Sequence, residues 1–306
     1  MKIDLAAAKA YGVSASGLVD FLTCRMAHKL YKEGWVQRRT PYPLHYGRVA
    51  HEVLEAIHNF ERSNSKFDPL KVVRAVCQRI QKKEAGLWIG EEAQAFELIC
   101  AQLEAVIPAY VKYYAKKKYN WVGVEEWFHT PFSDTFLNGR FDNVFERAGL
   151  WLFDTKNKSD IEPEEMGEVI TCDFQVNFYI LALWLITKKY PRGFIYNILR
   201  RPGLKLGKKE TLEMYSERIK EHISEKGEEY YFQRYEISVI KSDIIKFKDE
   251  LETKHLPAYW KWYAENQPTT LFGNPCAGKY GLCRYVPICY ADDYSGFHKP
   301  KKEKRK

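Results

Sequence analysis

The chain has 306 residues, 45% of them apolar and 15% aromatic, with a net charge of +8 and a pI of about 8.9. That is enough for one large domain or two small ones with a full hydrophobic core, and no run is long and apolar enough to span a membrane. The opening MKIDLAAAKAYG lacks a signal-peptide core and the seven cysteines are an odd count, so a cytoplasmic chain without a disulfide framework is expected.

Residues 14–34 are predicted to be helical, opened by Ser14 or Ser16 as the cap. Gly47 to Phe60 carries Val49, Leu54 and Ile57 at helical spacing, and helices over 69–84 and 93–118 follow. From 121 to 157 the texture changes to aromatic and β-branched residues, with turn signals at Thr130-Pro131 and Ala148-Gly149, which predicts a three-stranded meander. Next come a helix over 167–189, a strand over Gly193 to Arg200 and a polar loop or inserted arm over 201–228. A strand over Tyr230 to Ser238 is expected to pair with 193–200, and a long helix covers 240–264. The segment Gly273 to Tyr290 is short, loop-like and rich in cysteine. The last nine residues, HKPKKEKRK, hold six Lys or Arg against one Glu, so 293–306 are expected to form a solvated, disordered tail. This order fits one α/β domain over 1–292 with a helical N-terminal layer, and the excess of positive charge favours a polyanion partner.

Three residues carry the chemistry. Asp142 lies within one predicted strand, and Asp154 and Lys156 end the next, after the apolar run Leu150 to Phe153. A tight turn makes the two strands antiparallel neighbours, and residues two apart on a strand share a face. Two acids and a lysine are costly to bury together unless something pairs them, and a hard divalent cation such as Mg²⁺ does so. Metal-bound water is a better nucleophile, and a nearby lysine orients or deprotonates it and screens developing charge. Arg140, two residues before Asp142, suits phosphate oxygens.

Cys276, Cys283 and Cys289 crowd a polar, aromatic-rich segment, and Cys24 lies far upstream. Four thiolates can hold Zn²⁺ or a [4Fe–4S] cluster, and the spacings are wider than the close pairs usual at zinc sites. Cys77, Cys100 and Cys172 fall in predicted helices and read as small buried residues.

This constellation resembles the PD-(D/E)XK nuclease superfamily, in particular its RecB-like exonuclease branch. The resemblance rests on Asp142, the Asp154-x-Lys156 segment, His51 in YGRVAHEVLEAI, Gln175 and Tyr179 in DFQVNFYILAL, and the cysteine bracket, in that family's chain order. It implies a restriction-endonuclease-like fold: a central mixed sheet flanked by helices, with a cysteine-rich cluster region. It implies Mg²⁺ or Mn²⁺ held by His51, Asp142, Asp154 and the Thr155 carbonyl, with Lys156 catalytic. Gln175 and Tyr179 would face the active site and hold the DNA strand, and Glu55, one turn from His51, would orient it. The iron–sulfur subset, similar to AddB-type and CRISPR-associated RecB-like nucleases, implies a [4Fe–4S] cluster on Cys24, Cys276, Cys283 and Cys289, with Zn²⁺ second. The first gap of the trio is longer than the C-x-x-C of its best-known members and closer to phage-encoded relatives. The implied activity is exonucleolytic hydrolysis of DNA, on single-stranded or ended duplex substrates, in recombination, repair or phage and CRISPR DNA processing, in a bacterial, archaeal or phage-infected host. The alternative is a non-catalytic iron–sulfur or zinc DNA-binding module of a larger complex.

Overall fold

In a computed structural model, residues 5–84, 90–160, 166–265, 276–278 and 281–299 are described. The N-terminal part runs α1 (Leu5–Tyr11), β1 (Val13–Ser14), α2 (Ala15–Thr23), α3 (Arg25–Lys32), β2 (Val36–Gln37), α4 (Tyr42–Arg62), α5 (Pro69–Lys83) and α6 (Glu91–Tyr113). The helix expected over 14–34 is thus broken. Cys24 adopts an extended conformation (φ −154°, ψ 108°), and its sulfur accepts a hydrogen bond from the Ala27 amide to cap α3. Ser14 caps α2 in the same way.

The meander follows as β3 (Asn120–Phe132), β4 (Thr135–Glu146) and β5 (Leu150–Lys158). Its second turn is at Ala148 and Gly149, both with positive φ, as expected. The first is not at Thr130-Pro131: both stay in β3, and the chain reverses at Ser133 with φ +52°. Pro131 is tolerated because β3 pairs on one side only, with β4.

A crossover through α7 (Met166–Thr171) and α8 (Phe174–Thr187) leads to β6 (Gly193–Arg200), which lies parallel to β5. The single helix expected over 167–189 is split because Asp173 leaves the helix and caps α8 through the Val176 amide. Cys172 therefore lies in a turn and is exposed rather than buried, whereas Cys77 is buried.

The expected arm at 201–228 contains a packed helix, α9 (Leu212–Lys226). Its charge count hides an apolar stripe. Tyr215, Ile219 and Ile223, at intervals of four, are buried in the same cluster as Ile99, Leu103 and Val106 of α6. After the short α10 (Glu228–Tyr231), β7 (Phe232–Ser238) pairs antiparallel with β6, as the sequence predicts. The last long helix is α11 (Lys241–Glu250) and α12 (Leu256–Glu265), joined by a π-helical turn over Leu251–His255.

These strands form one mixed sheet in the order β1-β4-β5-β6-β7, with β3 on the free side of β4. Helices cover it, α8 and the α11–α12 pair burying one apolar cluster and α4, α5, α6 and α9 another. The expected architecture, a central mixed sheet flanked by helices, is present.

The C-terminal segment forms a small hairpin, β8 (Ala277–Gly278) and β9 (Gly281–Leu282), then α13 (Val286–Ala291) and β10 (Phe297–His298). Strand β10 pairs with β2 far upstream. Residues 293–299, assigned to the tail by composition, are thus partly held in place, and residues 300–306 lie outside the described residues. Among the described residues no helix is long and apolar enough to cross a membrane.

Candidate active site

Strands β4 and β5 pair regularly from Glu146↔Leu150 to Asn143↔Phe153, and there the ladder stops. The next residues in register are Asp142 and Asp154. Instead of a backbone bond, the Thr155 amide donates to Asp142 Oδ2 at 2.9 Å. The strands part at the point where the acids stand.

The ribbon also changes face here. Asn143 bonds His58 on α4, and Phe145 packs with Trp121 and Phe153 on that same side. Phe141, four residues before Phe145, would share its face in a regular strand. It stacks instead on Phe128 and meets Tyr179 of α8 on the opposite side. Across from Asp142, between the pairs Val124↔Asn143 and Glu126↔Phe141, Glu125 sits at φ +52°. A left-handed glutamate is uncommon, and here it marks the pivot of both strands.

The side chains gather around this pivot. His51 Nδ1 lies 3.5 Å from Asp142 Oδ2 and 3.7 Å from Glu125 Oε1. Among the described residues, His51, Glu125 and Asp142 are the set whose ligand atoms all fall within 4.8 Å of one another. Lys156 Nζ pairs with Asp154 Oδ2 at 2.8 Å and donates to Gln175 Oε1 at 3.4 Å. Gln175 in turn donates to the Tyr179 hydroxyl at 3.1 Å. Arg140 Nε pairs with Glu125 Oε2 at 2.8 Å. Thr155 is held from the other side, where Asn197 Nδ2 donates to its hydroxyl.

The structure thus brings His51, Arg140, Asp142, Asp154, Thr155, Lys156, Gln175 and Tyr179 together, and adds Glu125 and Asn197, which the sequence did not single out. Glu55 is not where it was expected: the partners of His51 are Asp142 and Glu125, and no hydrogen bond joins it to Glu55 among the described residues. Nothing in VGVEEWF singles out Glu125 over Glu126, because the choice depends on the left-handed turn of the backbone.

Burial pushes the Asp154 carboxyl up to about 6; the Lys156 ammonium opposes this and Asp142 reinforces it. Burial alone would lower Lys156, but Asp154 and Asp142 outweigh it and hold the ammonium charged. His51 is similar: burial disfavours its cation, yet Asp142, Glu125 and Asp154 raise it to about 9. The site is a field that wants positive charge.

A divalent cation suits this donor set. Asp154 Oδ2 and Glu125 Oε2 are buried without a well-aligned hydrogen bond, although each touches a cation. The 3.5 and 3.7 Å separations around His51 are slightly wider than the ~3 Å between neighbouring ligands on an octahedral ion. One imidazole among carboxylates tilts the choice from Mg²⁺ towards Mn²⁺.

The four cysteines bracket the active-site residues in sequence, Cys24 before His51 and the other three after Tyr179. Cys24 joins α2 to α3, Cys276 precedes β8, and Cys283 and Cys289 pack beside Leu30, Tyr285, Ile288 and Phe297. All four are free thiols. The amide of Cys283 bonds the Cys276 carbonyl, and Tyr290 donates to the Cys276 sulfur at 3.4 Å. Burial pushes the Cys289 thiol up, and Cys283, Cys24 and Cys276 add to it, so all four share one neighbourhood.

A family model of the PD-(D/E)XK nuclease superfamily matches residues 12–290. No curated protein matches the sequence. A candidate exonuclease from Eubacterium rectale, known from its crystal structure, superposes with a TM-score of 0.51 at 12% identity, over 94% of this chain and 89% of that one. At that identity it speaks for the fold alone. The crystal structure of SSO0001 aligns over 57% of this chain and 69% of its own at 13% identity, and its TM-score of 0.25 carries no weight.

Proposed function

From the premise that this chain belongs to the PD-(D/E)XK nuclease superfamily, we propose that it is a metal-dependent DNA exonuclease of the RecB-like branch, acting on single-stranded ends. The observation that carries this reading is the pivot between β4 and β5, where His51, Glu125 and Asp142 face one another beside the Asp154–Lys156 pair. His51, Asp142 and Asp154 would hold Mg²⁺ or Mn²⁺, with Glu125 and the Thr155 carbonyl beside them. When bound, the ion supplies an activated water and neutralises charge on the phosphoryl group.

The chain's own residues do the rest. Lys156 pairs with Asp154, and Asp154 and Asp142 favour its ammonium form. It donates to the attacking water or to the phosphoryl oxygen as negative charge develops. Gln175 fixes the Lys156 amine from one side, and Tyr179 fixes Gln175. Arg140 lies beside Glu125, within reach of a strand entering the pivot. Cys24, Cys276, Cys283 and Cys289 would hold a [4Fe–4S] cluster as a staple between chain ends.

The test is digestion of end-labelled linear and internally labelled circular single strands in Mn²⁺, Mg²⁺ and chelator. Metal-dependent loss of the linear strand alone is expected. Cutting of circles would make the enzyme an endonuclease. DNA binding without cutting in any metal would favour the accessory-module reading.

A further inference from the structure

Past the pivot, the β3–β4 hairpin continues as a ribbon with one face on the core. Phe128, Phe132, Leu137 and Phe141 fill that face. Its other face is exposed at Trp127, Arg140 and His129, while the turn between α1 and β1 meets it at Asn138 and Phe136. Trp127 is 73% exposed, the second most exposed large apolar side chain of the described residues. Its cross-strand partner is Arg140, whose guanidinium lies 5.3 Å from the indole centroid. One step further out, His129 and Phe136 stack at 4.3 Å with their rings 9° from parallel. His129 is exposed and Phe136 half-buried.

These side chains form a row. Glu125 and Asp142 stand at its inner end, Trp127 and Arg140 come next, and His129 and Phe136 follow. Successive same-face positions on a strand are about 6.6 Å apart, since each residue rises about 3.3 Å. That spacing admits one flat ring per step. The charges in reach are Arg140, which is tied to Glu125, and at the tip Asp134, which is tied to Lys9. Glu126 is tied to Arg62 of α4.

Trp127, flanked by Arg140, presents a broad aromatic face to solvent in line with the carboxylates. The row offers aromatic rings with a cation beside the innermost one, and ends at the carboxylates. We propose that this face of the β3–β4 hairpin is a stacking track for single-stranded DNA, with Trp127 as the base platform nearest the active site and the His129–Phe136 pair as the next. Bases of a single strand expose their π-faces and stack on aromatic side chains irrespective of sequence, whereas paired bases in a duplex do not. Arg140 then has two neighbours: the indole it flanks and the phosphate between the last stacked base and the scissile one.

This inference rests on the nuclease reading for the direction of the strand, but its test is binding and not cutting. The full-length protein carrying Asp154→Asn is titrated against a fluorescein-labelled oligothymidylate and, separately, a blunt duplex, with anisotropy as the readout. Adding Trp127→Ala should weaken single-strand binding about tenfold, the size expected for losing one stacked base, and leave duplex binding unchanged. Trp127→Phe should retain most of the affinity. Equal losses on both substrates, or no loss on either, would overturn the track. Because Trp127 is exposed, the variant keeps its core, and thermal unfolding checks this. If wild-type protein cuts no DNA yet Trp127→Ala loses single-strand binding selectively, the nuclease reading fails and the track stands.

Discussion

The carboxylate centre and the cysteine quartet are built in opposite ways. The first draws His51, Glu125, Asp142, Asp154 and Lys156 from α4, β3, β4 and β5, all long elements locked by two large apolar clusters. The second draws on a helix junction, a two-residue hairpin and a six-residue helix, with four buried side chains beneath it. A site carried by a packed sheet keeps its shape without its ligand, whereas one carried by short segments depends on the ligand to hold the segments together. Loss of metal should cost the first its activity and the second its structure.

The largest effect that would break this contrast concerns the centre. Asp154→Ala and Lys156→Ala should each lower DNA cleavage on the order of a thousandfold while leaving the melting temperature nearly unchanged, read by end-labelled digestion and by circular dichroism. A melting temperature that collapsed with activity would mean the two regions are not built differently. Glu125→Gln is a finer probe. It should raise the Mn²⁺ concentration for half-maximal cleavage by about ten- to a hundredfold, and an unchanged metal titration would remove Glu125 from the site.

The quartet should answer in the other currency. On the proposed [4Fe–4S] assignment, Cys283→Ser or Cys289→Ser should lower the iron content, bleach the visible absorbance and reduce the melting temperature, with activity lost only as the fold is lost. Colourless wild-type protein containing zinc would replace the cluster with a zinc site.

The smallest effect tests how firmly the sheet carries the first site. His58 is buried against Asn143, and burial, aided by Arg234, pushes its ring down to about 3, well below the ordinary 6.5. The unfolded chain therefore takes up this proton first. Stability is complete above pH 6.5 and falls below it, by about 1.4 kcal/mol per pH unit from this histidine. Denaturant titrations between pH 7.5 and 5 should show a slope to which His28, pushed down to about 4 by burial, also contributes, and His58→Gln should reduce it. Identical slopes would mean the imidazole escapes to solvent.

How much of this was legible in the sequence follows the same division. Asp154 and Lys156 sit two apart on one strand, and Gln175 and Tyr179 sit four apart on one helix, so local periodicity alone puts each pair on one face. The meander, the β5–α8–β6 crossover and the β6–β7 pair are local in the same sense. Glu125 was not legible because it depends on a left-handed residue and a change of face that no spacing encodes. The helix at 212–226 was hidden because seven charged residues in Leu212–Lys226 surround three buried apolar ones. The breaks at Cys24 and Asp173 were missed for one reason: a side chain capping the next helix looks, in sequence, like an ordinary polar interruption. The cysteine quartet needed a resemblance, since nothing local ties residue 24 to residue 276.

The pairing of β2 with β10 sets a clock. Arg38 bonds both the Gly296 carbonyl and the Ser295 carbonyl, and the latter lies 257 positions further along the chain. At about 5–20 residues per second, a ribosome takes roughly 10–50 seconds to deliver that partner. Throughout that interval Leu30 and Trp35 stand without the residues that later cover them. Until residues 285–297 are made, the nascent chain presents an apolar patch of the kind that chaperones binding apolar segments would recognise.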